Sequence, residues 1–178
     1  MNGDARIASG AVLVAAKHQS GFETLVLQYV LNDPVIVLKR ELLELPLFGW
    51  VLRRLGHIGV DREDGLGAAR ALRAAALEAH AQGRPVVIFP EGSRRAPGDA
   101  PSYKSGVDLL YALLKIPCIP VAVNSGKIWP PAARLPQAGH ITIAFLPAIQ
   151  PNMPRSAFVK QLQTVIEEAS ELLLTEPS

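Results

Sequence analysis

Short apolar runs alternate with longer helical patterns along this chain of 178 residues, and no other feature constrains its fold as strongly. Most runs are rich in Val, Ile and Leu and too short for helices, so they predict buried strands. They cover residues 11–15, 34–38, 56–60, 85–89, 119–123 and 141–146. The helical patterns cover residues 20–32, 42–55, 64–82, 105–115 and 154–174. This alternation predicts an α/β fold with a mostly parallel central sheet and helices on both faces.

The length of the chain and the lack of a linker predict a single domain spanning residues 1–178. Its core would cover about residues 11–150, and an amphipathic helix over about 154–175 would close the chain. Pro46 and Gly49 interrupt the helical pattern over 42–55 and predict a kink there.

Composition excludes several classes of protein. Hydrophobic residues make up 49% of the chain and charged residues 19%, which excludes a disordered chain. The net charge of +2 is too small for a nucleic-acid binder, so no nucleic-acid partner is expected. Cys118 is the single cysteine. A single cysteine excludes an intramolecular disulfide and a metal cluster held by cysteines, and it predicts a reducing compartment.

The apolar stretches predict no membrane-spanning helix. The most apolar segment, 106–123, is interrupted by charged residues and prolines. The first ten residues lack the apolar centre of a secretory signal. We therefore expect a cytoplasmic protein, or one that lies on a membrane without crossing it.

Polar residues follow the first predicted strand directly. Functional residues of parallel sheets gather at the carboxyl ends of the strands. His18 leaves the first strand, and Glu23 lies in the first turn of the next helix. A carboxylate on one ring nitrogen leaves the other nitrogen free as a general base. The alternative is a capping box in which Ser20 and Glu23 close the helix.

Two further strand ends carry charge. The strand ending at Phe89 runs into Pro-Glu-Gly-Ser-Arg-Arg, where arginine forks suit a phosphate. Lys104, after the following loop, would join that site. The strand ending at Val60 runs into Asp61 and Arg62, and Lys39 adds charge at the same edge. The alternatives are a solvated charged turn and a surface ion pair.

These strand ends together resemble the four ordered motifs of the glycerolipid acyltransferase family. The matching segments are His18-x4-Glu23, Val60-Asp-Arg62, Phe89-Pro-Glu-Gly-Ser-Arg94 and Ile119-Pro-Val121. The segments Lys39–Leu42, Pro46–Trp50 and Asn124–Gly126 also look like that family. The resemblance covers about residues 11–150, and motifs in this order are more specific than any one of them.

The resemblance implies an acyltransferase. A fatty acyl group would pass from acyl-CoA or acyl carrier protein to the sn-2 hydroxyl of 1-acyl-sn-glycerol 3-phosphate, giving phosphatidic acid. His18 would deprotonate the hydroxyl and Glu23 would hold His18, with no acyl-enzyme, no metal and no cofactor beyond the thioester co-substrate. The implied phosphate-binding residues are Arg62, Glu91, Gly92, Ser93 and Arg94, with Lys39 and Lys104 as further candidates for that phosphate or those of CoA. Pro120 would shape the acyl-chain side.

Two departures from the family pattern affect these expectations. The first motif usually ends in Asp, whereas this chain has Glu23. Relatives usually carry a hydrophobic or helical docking segment before that motif, whereas the first strand here begins about ten residues in. This predicts a short form or an incomplete gene.

Four apolar residues between the second and third strands would then make the contact with the cytoplasmic face of the membrane: Leu45, Leu47, Phe48 and Trp50. The alternative for these four is ordinary core packing.

Two other functions fit the same residues. In a thioester hydrolase, His18 and Glu23 would activate water, which needs no phosphate site. In a non-catalytic module, the chain would bind a lysophospholipid or acyl-CoA without turnover. Product analysis separates the hydrolase, and loss of His18 separates the binding module.

Overall fold

The computed structural model describes residues 11–61 and 64–175. Within these ranges six strands form one sheet: β1 (Leu13–Ala16), β2 (Val35–Lys39), β3 (Ile58–Val60), β4 (Val86–Ile88), β5 (Cys118–Val123) and β6 (Ile143–Phe145). The same ranges contain the helices α1 (Phe22–Val30), α2 (Arg40–Glu44), α3 (Phe48–Arg54), α4 (Gly65–Ala81), α5 (Gly106–Leu114), α6 (Ser125–Ile128) and α7 (Arg155–Thr175). The predicted α/β fold is confirmed.

The order of the strands determines which loops meet. The sheet runs β3-β2-β4-β1-β5-β6, with β1 to β5 parallel and β6 antiparallel to β5. β1 lies in the middle, and Ala15 is level with both Ile88 of β4 and Pro120 of β5. The segments that follow β1, β4 and β5 therefore leave the same edge of the sheet side by side.

The core is divided between the two faces of the sheet because side chains alternate along each strand. On one face, Leu13 and Ala15 pack with buried residues of α4, α5 and α7. On the other face, Val14 and Ala16 pack with Leu27 of α1. Burial on both faces explains why β1 is a continuous apolar run. The predicted helical cover of both faces is confirmed.

The helix predicted over 42–55 is two helices, and it starts at Arg40 rather than Leu42. The break between α2 and α3 falls at Leu47, whose φ of 58° lies in the left-handed region. α3 then packs so closely on α2 that a Cβ at Gly49 would overlap the Leu43 carbonyl. The predicted kink is thus a complete turn between two short helices.

Candidate active site

The residues after β1 bring a histidine and a carboxylate together. His18 Nδ1 lies 3.7 Å from Glu23 Oε2, longer than a hydrogen bond and within ion-pair distance. The Glu23 side chain is fully buried, whereas 17% of the His18 side chain is exposed. The imidazole stacks on the ring of Phe89, with centroids 4.2 Å apart. The ring is therefore held on two sides and still reachable from solvent.

Hydrogen-bond donors surround the Glu23 carboxylate. Oε1 accepts from the N–H groups of Gln19 and Ser20, both at 3.1 Å, and from the Ser125 hydroxyl. Oε2 accepts from the N–H and the hydroxyl of Ser20, both at 3.1 Å. Burial alone would raise the pKa of Glu23, but His18, Ser125 and main-chain donors outweigh burial and lower the pKa below its usual value. Glu23 is therefore ionised at neutral pH.

Glu23 also serves the helix that carries it. Its carboxylate bonds back to the Ser20 N–H, as one half of a capping box requires. In a capping box the Ser20 hydroxyl would accept from the N–H three residues on, that of Glu23. Here it accepts from the Phe22 N–H at 3.0 Å instead. Helix closure and contact with His18 are therefore compatible roles of one carboxylate.

The segment after β4 holds the main chain of His18. The His18 N–H donates to Glu91 Oε2 at 3.1 Å, and the Arg95 N–H donates to the His18 carbonyl at 2.8 Å. Glu91 is 1% exposed, and its Oε1 accepts from Lys17 Nζ at 2.9 Å. From sequence, Glu91 is a predicted phosphate ligand. In the structure its two carboxylate oxygens accept from Lys17 Nζ and from the His18 N–H, and its role as a phosphate ligand stays a prediction.

The turn after Glu91 presents other predicted phosphate ligands. Gly92 has a φ of 70°, and its N–H donates to the Phe89 carbonyl at 2.9 Å. This conformation favours glycine and turns the chain sharply. Ser93 and Arg94 lie exposed on the outside of the turn, at the edge where His18 emerges.

The remaining predicted residues differ in their placement. Lys104 is exposed, and its N–H donates to the Pro90 carbonyl at 2.8 Å, which places it beside the loop after β4. Lys39 is exposed at the end of β2, the neighbour of β4. Arg62 lies outside the described residues. Pro120 is buried within β5, in the sheet itself.

A short helix that is not predicted from sequence packs against Glu23 and Gln19. Ser125 begins α6 and donates to Glu23, and the Gly126 N–H donates to Gln19 Oε1 at 2.9 Å. In the sequence these residues stand out only through the Asn124–Gly126 resemblance, which assigns them no role. Four residues are too few for helical periodicity, and 102 positions separate Ser125 from Glu23.

We predict that Gly126→Ala lowers both stability and activity. An added Cβ would lie 2.7 Å from Pro97 Cδ and 3.0 Å from Gln19 Cβ, so the loops after β1 and β4 must move. Overpacking of this kind costs about 1–3 kcal/mol of unfolding free energy. Thermal melts and turnover assays would check it, with Gly65→Ala as the control because that Cβ meets nothing within 4 Å. Equal behaviour of the two variants would contradict the prediction.

The described ranges contain neither a metal-binding cluster nor a membrane-spanning helix. Among residues 11–61 and 64–175, no group of three or more His, Cys, Asp and Glu side chains is placed to hold a metal ion. In the same part of the chain, no helix has the length and apolar character needed to cross a membrane.

Comparison with known proteins identifies the family. A family model described as acyltransferase matches residues 1–124, which include the loops after β1 and β4. The chain belongs to the acyltransferase family. It is 36% identical over 137 residues to a protein of Pseudomonas aeruginosa named 1-acyl-sn-glycerol-3-phosphate acyltransferase. A protein of Helicobacter pylori with the same name is 30% identical over 158 residues.

These acyltransferases are longer than the chain. The match covers 77% of this chain and 53% of the Pseudomonas protein, and 87% of this chain and 66% of the Helicobacter protein. The crystal structure of the 1-acyl-sn-glycerophosphate acyltransferase of Thermotoga maritima matches with a TM-score of 0.82 at 22% identity. It covers 99% of this chain and 72% of the Thermotoga chain, and it confirms the fold.

Proposed function

We propose that the chain transfers a fatty acyl group from a thioester to the sn-2 hydroxyl of 1-acyl-sn-glycerol 3-phosphate. The observation that carries this proposal is His18 itself: its Nδ1 faces a buried, ionised carboxylate, and its ring is partly exposed beside an arginine-containing loop. Family membership and the names of the two relatives support the same reaction.

His18 acts as the general base. Because Nδ1 faces Glu23, Nε2 is left to take the proton of the acceptor hydroxyl. The hydroxyl oxygen then attacks the thioester carbonyl. The resulting tetrahedral intermediate collapses and breaks the carbon–sulfur bond, and the imidazolium returns its proton to the thiolate. Glu23 stabilises the imidazolium while it carries that proton. A general base contributes about 10²–10⁴-fold, and positioning of the substrates supplies more.

The phosphate of the acceptor binds at the turn after β4. Arg94 and Ser93 are exposed there, and Lys104 and Lys39 lie on neighbouring segments of the same edge. A guanidinium matches a phosphate with paired hydrogen bonds, and the lysines act as point charges. Arg62 remains a further candidate. The donor is acyl-CoA or acyl carrier protein, and the thioester carbonyl is the electrophile, so the scheme requires no cofactor.

An acceptor series tests the proposed function. The purified chain is given one acyl-CoA with 1-acyl-sn-glycerol 3-phosphate, with the corresponding monoacylglycerol, or with no acceptor. We expect phosphatidic acid with the first and little product with the second, because the second lacks the phosphate. Equal acylation of both acceptors would contradict recognition of the phosphate, and release of free fatty acid in all three would indicate a hydrolase.

We predict that Arg94→Ala raises KM for the lysophospholipid about tenfold and leaves kcat within about twofold. Arg94 would bind the phosphate equally in the ground state and the transition state, so its loss weakens binding without slowing the chemical step. Arg73→Ala, at an exposed arginine of α4, is the matched control and should change neither constant. A fall in kcat at unchanged KM would contradict this role.

The apolar residues between β2 and β3 support membrane docking. Leu47 is 84% exposed, Trp50 61%, Phe48 49% and Leu45 45%, so these four side chains do not form the core packing that is the alternative from sequence. Arg40 and Arg54 are exposed on the same two helices. Exposed apolar side chains beside basic ones suit the surface of an anionic membrane.

We predict that Leu47→Glu weakens binding to anionic phospholipid vesicles at least about tenfold, since burying a leucine is worth about 1.5–3 kcal/mol. Co-sedimentation with vesicles measures the binding. A blue shift of tryptophan fluorescence in a Trp129→Phe background, where Trp50 is the one tryptophan left, reports insertion. Leu172→Glu is the control because Leu172 is 68% exposed on α7, which packs on β5 and α5. Equal losses in the two variants would show that no particular surface docks.

A further inference from the structure

A buried ion-pair network lies directly behind the catalytic histidine. Lys17 precedes His18, and its ammonium Nζ lies 2.9 Å from Glu91 Oε1 and 2.6 Å from Glu167 Oε2. The Lys17 side chain is 4% exposed and that of Glu167, on α7, is 20% exposed. The Tyr103 hydroxyl donates to Glu167 Oε1 at 3.1 Å. Lys17, Tyr103 and Glu167 have no role in the proposed chemistry.

The network is buried and fully paired, unlike an incidental ion pair on the surface. A buried ammonium is costly unless it is paired, and Lys17 lies between two carboxylates. Burial and the nearby carboxylates Glu167 and Glu91 raise the pKa of Tyr103, so its hydroxyl stays a donor. The contacts tie together three segments that are far apart in sequence: Lys17 and Glu167 are 150 positions apart, and Lys17 and Glu91 are 74 apart.

The network reaches His18 through Glu91. One oxygen of Glu91 accepts from Lys17, and the other accepts from the His18 N–H. Neighbouring residues of an extended segment point to opposite faces, so Lys17 points toward α7 while His18 points toward α1. The base is thereby held from both faces of the sheet: its ring by Glu23, and its main chain by the Lys17 network.

We propose that Glu167 is a positioning residue for His18, acting through Lys17 and Glu91. Glu167 lies beyond residues 1–124, which the family model matches. When its charge is removed, the ammonium is left to Glu91 alone, and the Glu91 carboxylate shifts with it away from the His18 N–H. This inference rests on the proposed function for its effect on turnover, but its effect on the His18 main chain stands apart from activity.

Turnover is the first readout. We expect Glu167→Gln to lower kcat about tenfold, because small displacements of a base are costly, and to leave KM for both substrates within about twofold. Glu168→Gln is the matched control: it makes the same change at the next, exposed residue of α7. Tyr103→Phe removes one hydrogen bond to Glu167 and should lower kcat by a smaller factor, about twofold to threefold. It keeps the proposal testable if Glu167→Gln fails to fold.

The main-chain amide signal of His18 is the second readout, and it does not depend on catalysis. In ¹H–¹⁵N spectra we expect Glu167→Gln and Tyr103→Phe to move this signal, and Glu168→Gln to leave it in place. A lower melting temperature with the amide signal and kcat unchanged would overturn the proposal, as would equal effects of Glu167→Gln and Glu168→Gln. If the wild type makes no phosphatidic acid while the amide moves, the proposed function fails and the positioning role stands.

Discussion

Replacing His18 with alanine should lower kcat/KM for acyl transfer at least about a hundredfold. The contribution of a general base is about 10²–10⁴-fold, and the alanine variant has no group to take the proton of the acceptor hydroxyl. The fold should survive, because the ring is partly exposed and the contacts to Glu91 and Arg95 use the main chain of residue 18. Initial rates of phosphatidic acid formation measure the effect.

His140→Ala is the control for this experiment, because His140 is an exposed histidine close to β6 that makes no contact with Glu23. It should retain the activity of the wild type. Circular dichroism and vesicle binding should be the same for all three proteins. If His18→Ala kept more than about a tenth of the wild-type rate, His18 would not be the base.

Glu23→Gln should lower kcat by a comparable factor, between about 10² and 10⁴. The amide has nearly the shape of the carboxylate but lacks the charge that stabilises the imidazolium. Its NH2 group would also face donors, since the N–H groups of Gln19 and Ser20 and the Ser125 hydroxyl all point at the carboxylate. Steady-state kinetics with saturating acceptor measure kcat directly.

Ser125→Ala provides the graded comparison. It removes one of the donors to Glu23 and leaves the charge. It should therefore lower the free energy of unfolding by only about 1.5–3 kcal/mol and lower kcat by a smaller factor than Glu23→Gln does. An order reversed from this, with Ser125→Ala slower than Glu23→Gln, would indicate that the charge on Glu23 is not what matters.

The same carboxylate predicts how stability depends on pH. The pKa of Glu23 in the folded chain lies below its usual value of 4.5. The ionised group therefore contributes stability that is complete above pH 4.5 and is lost as the pH falls through the folded-state pKa. The melting temperature of the wild type should drop on acidification below that pH, and Glu23→Gln should drop less. Parallel acid profiles of the two proteins would contradict the assigned environment of Glu23.

Sequence patterns predict the part of the site whose residues lie close together in the chain. His18 and Glu23 are five positions apart across a strand end and a helix start, so the rule for parallel sheets places them together. Gly92 follows a buried strand, and its positive φ fits the turn expected there. The α/β fold follows from alternation alone, because each strand and helix leaves its own periodicity in the sequence.

Contacts between residues that are far apart in the chain leave no comparable pattern in the sequence. The role of Glu91 depends on β4 lying next to β1, and the order of strands is not written in their individual patterns. Ser125 and Glu167 reach the site across 102 and 150 positions, from a helix too short for periodicity and from a charged position on an amphipathic helix. In sequence, Glu167 looks the same as its exposed neighbour Glu168, and only packing of α7 on the sheet distinguishes them.

The most direct test of the central claim is the stoichiometry of one reaction. The chain is incubated with acyl-CoA and 1-acyl-sn-glycerol 3-phosphate in detergent, and free CoA, phosphatidic acid and free fatty acid are measured over time. Transfer by His18 predicts CoA and phosphatidic acid in equal amounts, with no fatty acid. CoA accompanied by fatty acid would identify a hydrolase. Bound lysophospholipid without any CoA release would identify a binding module, and either result would contradict acyl transfer.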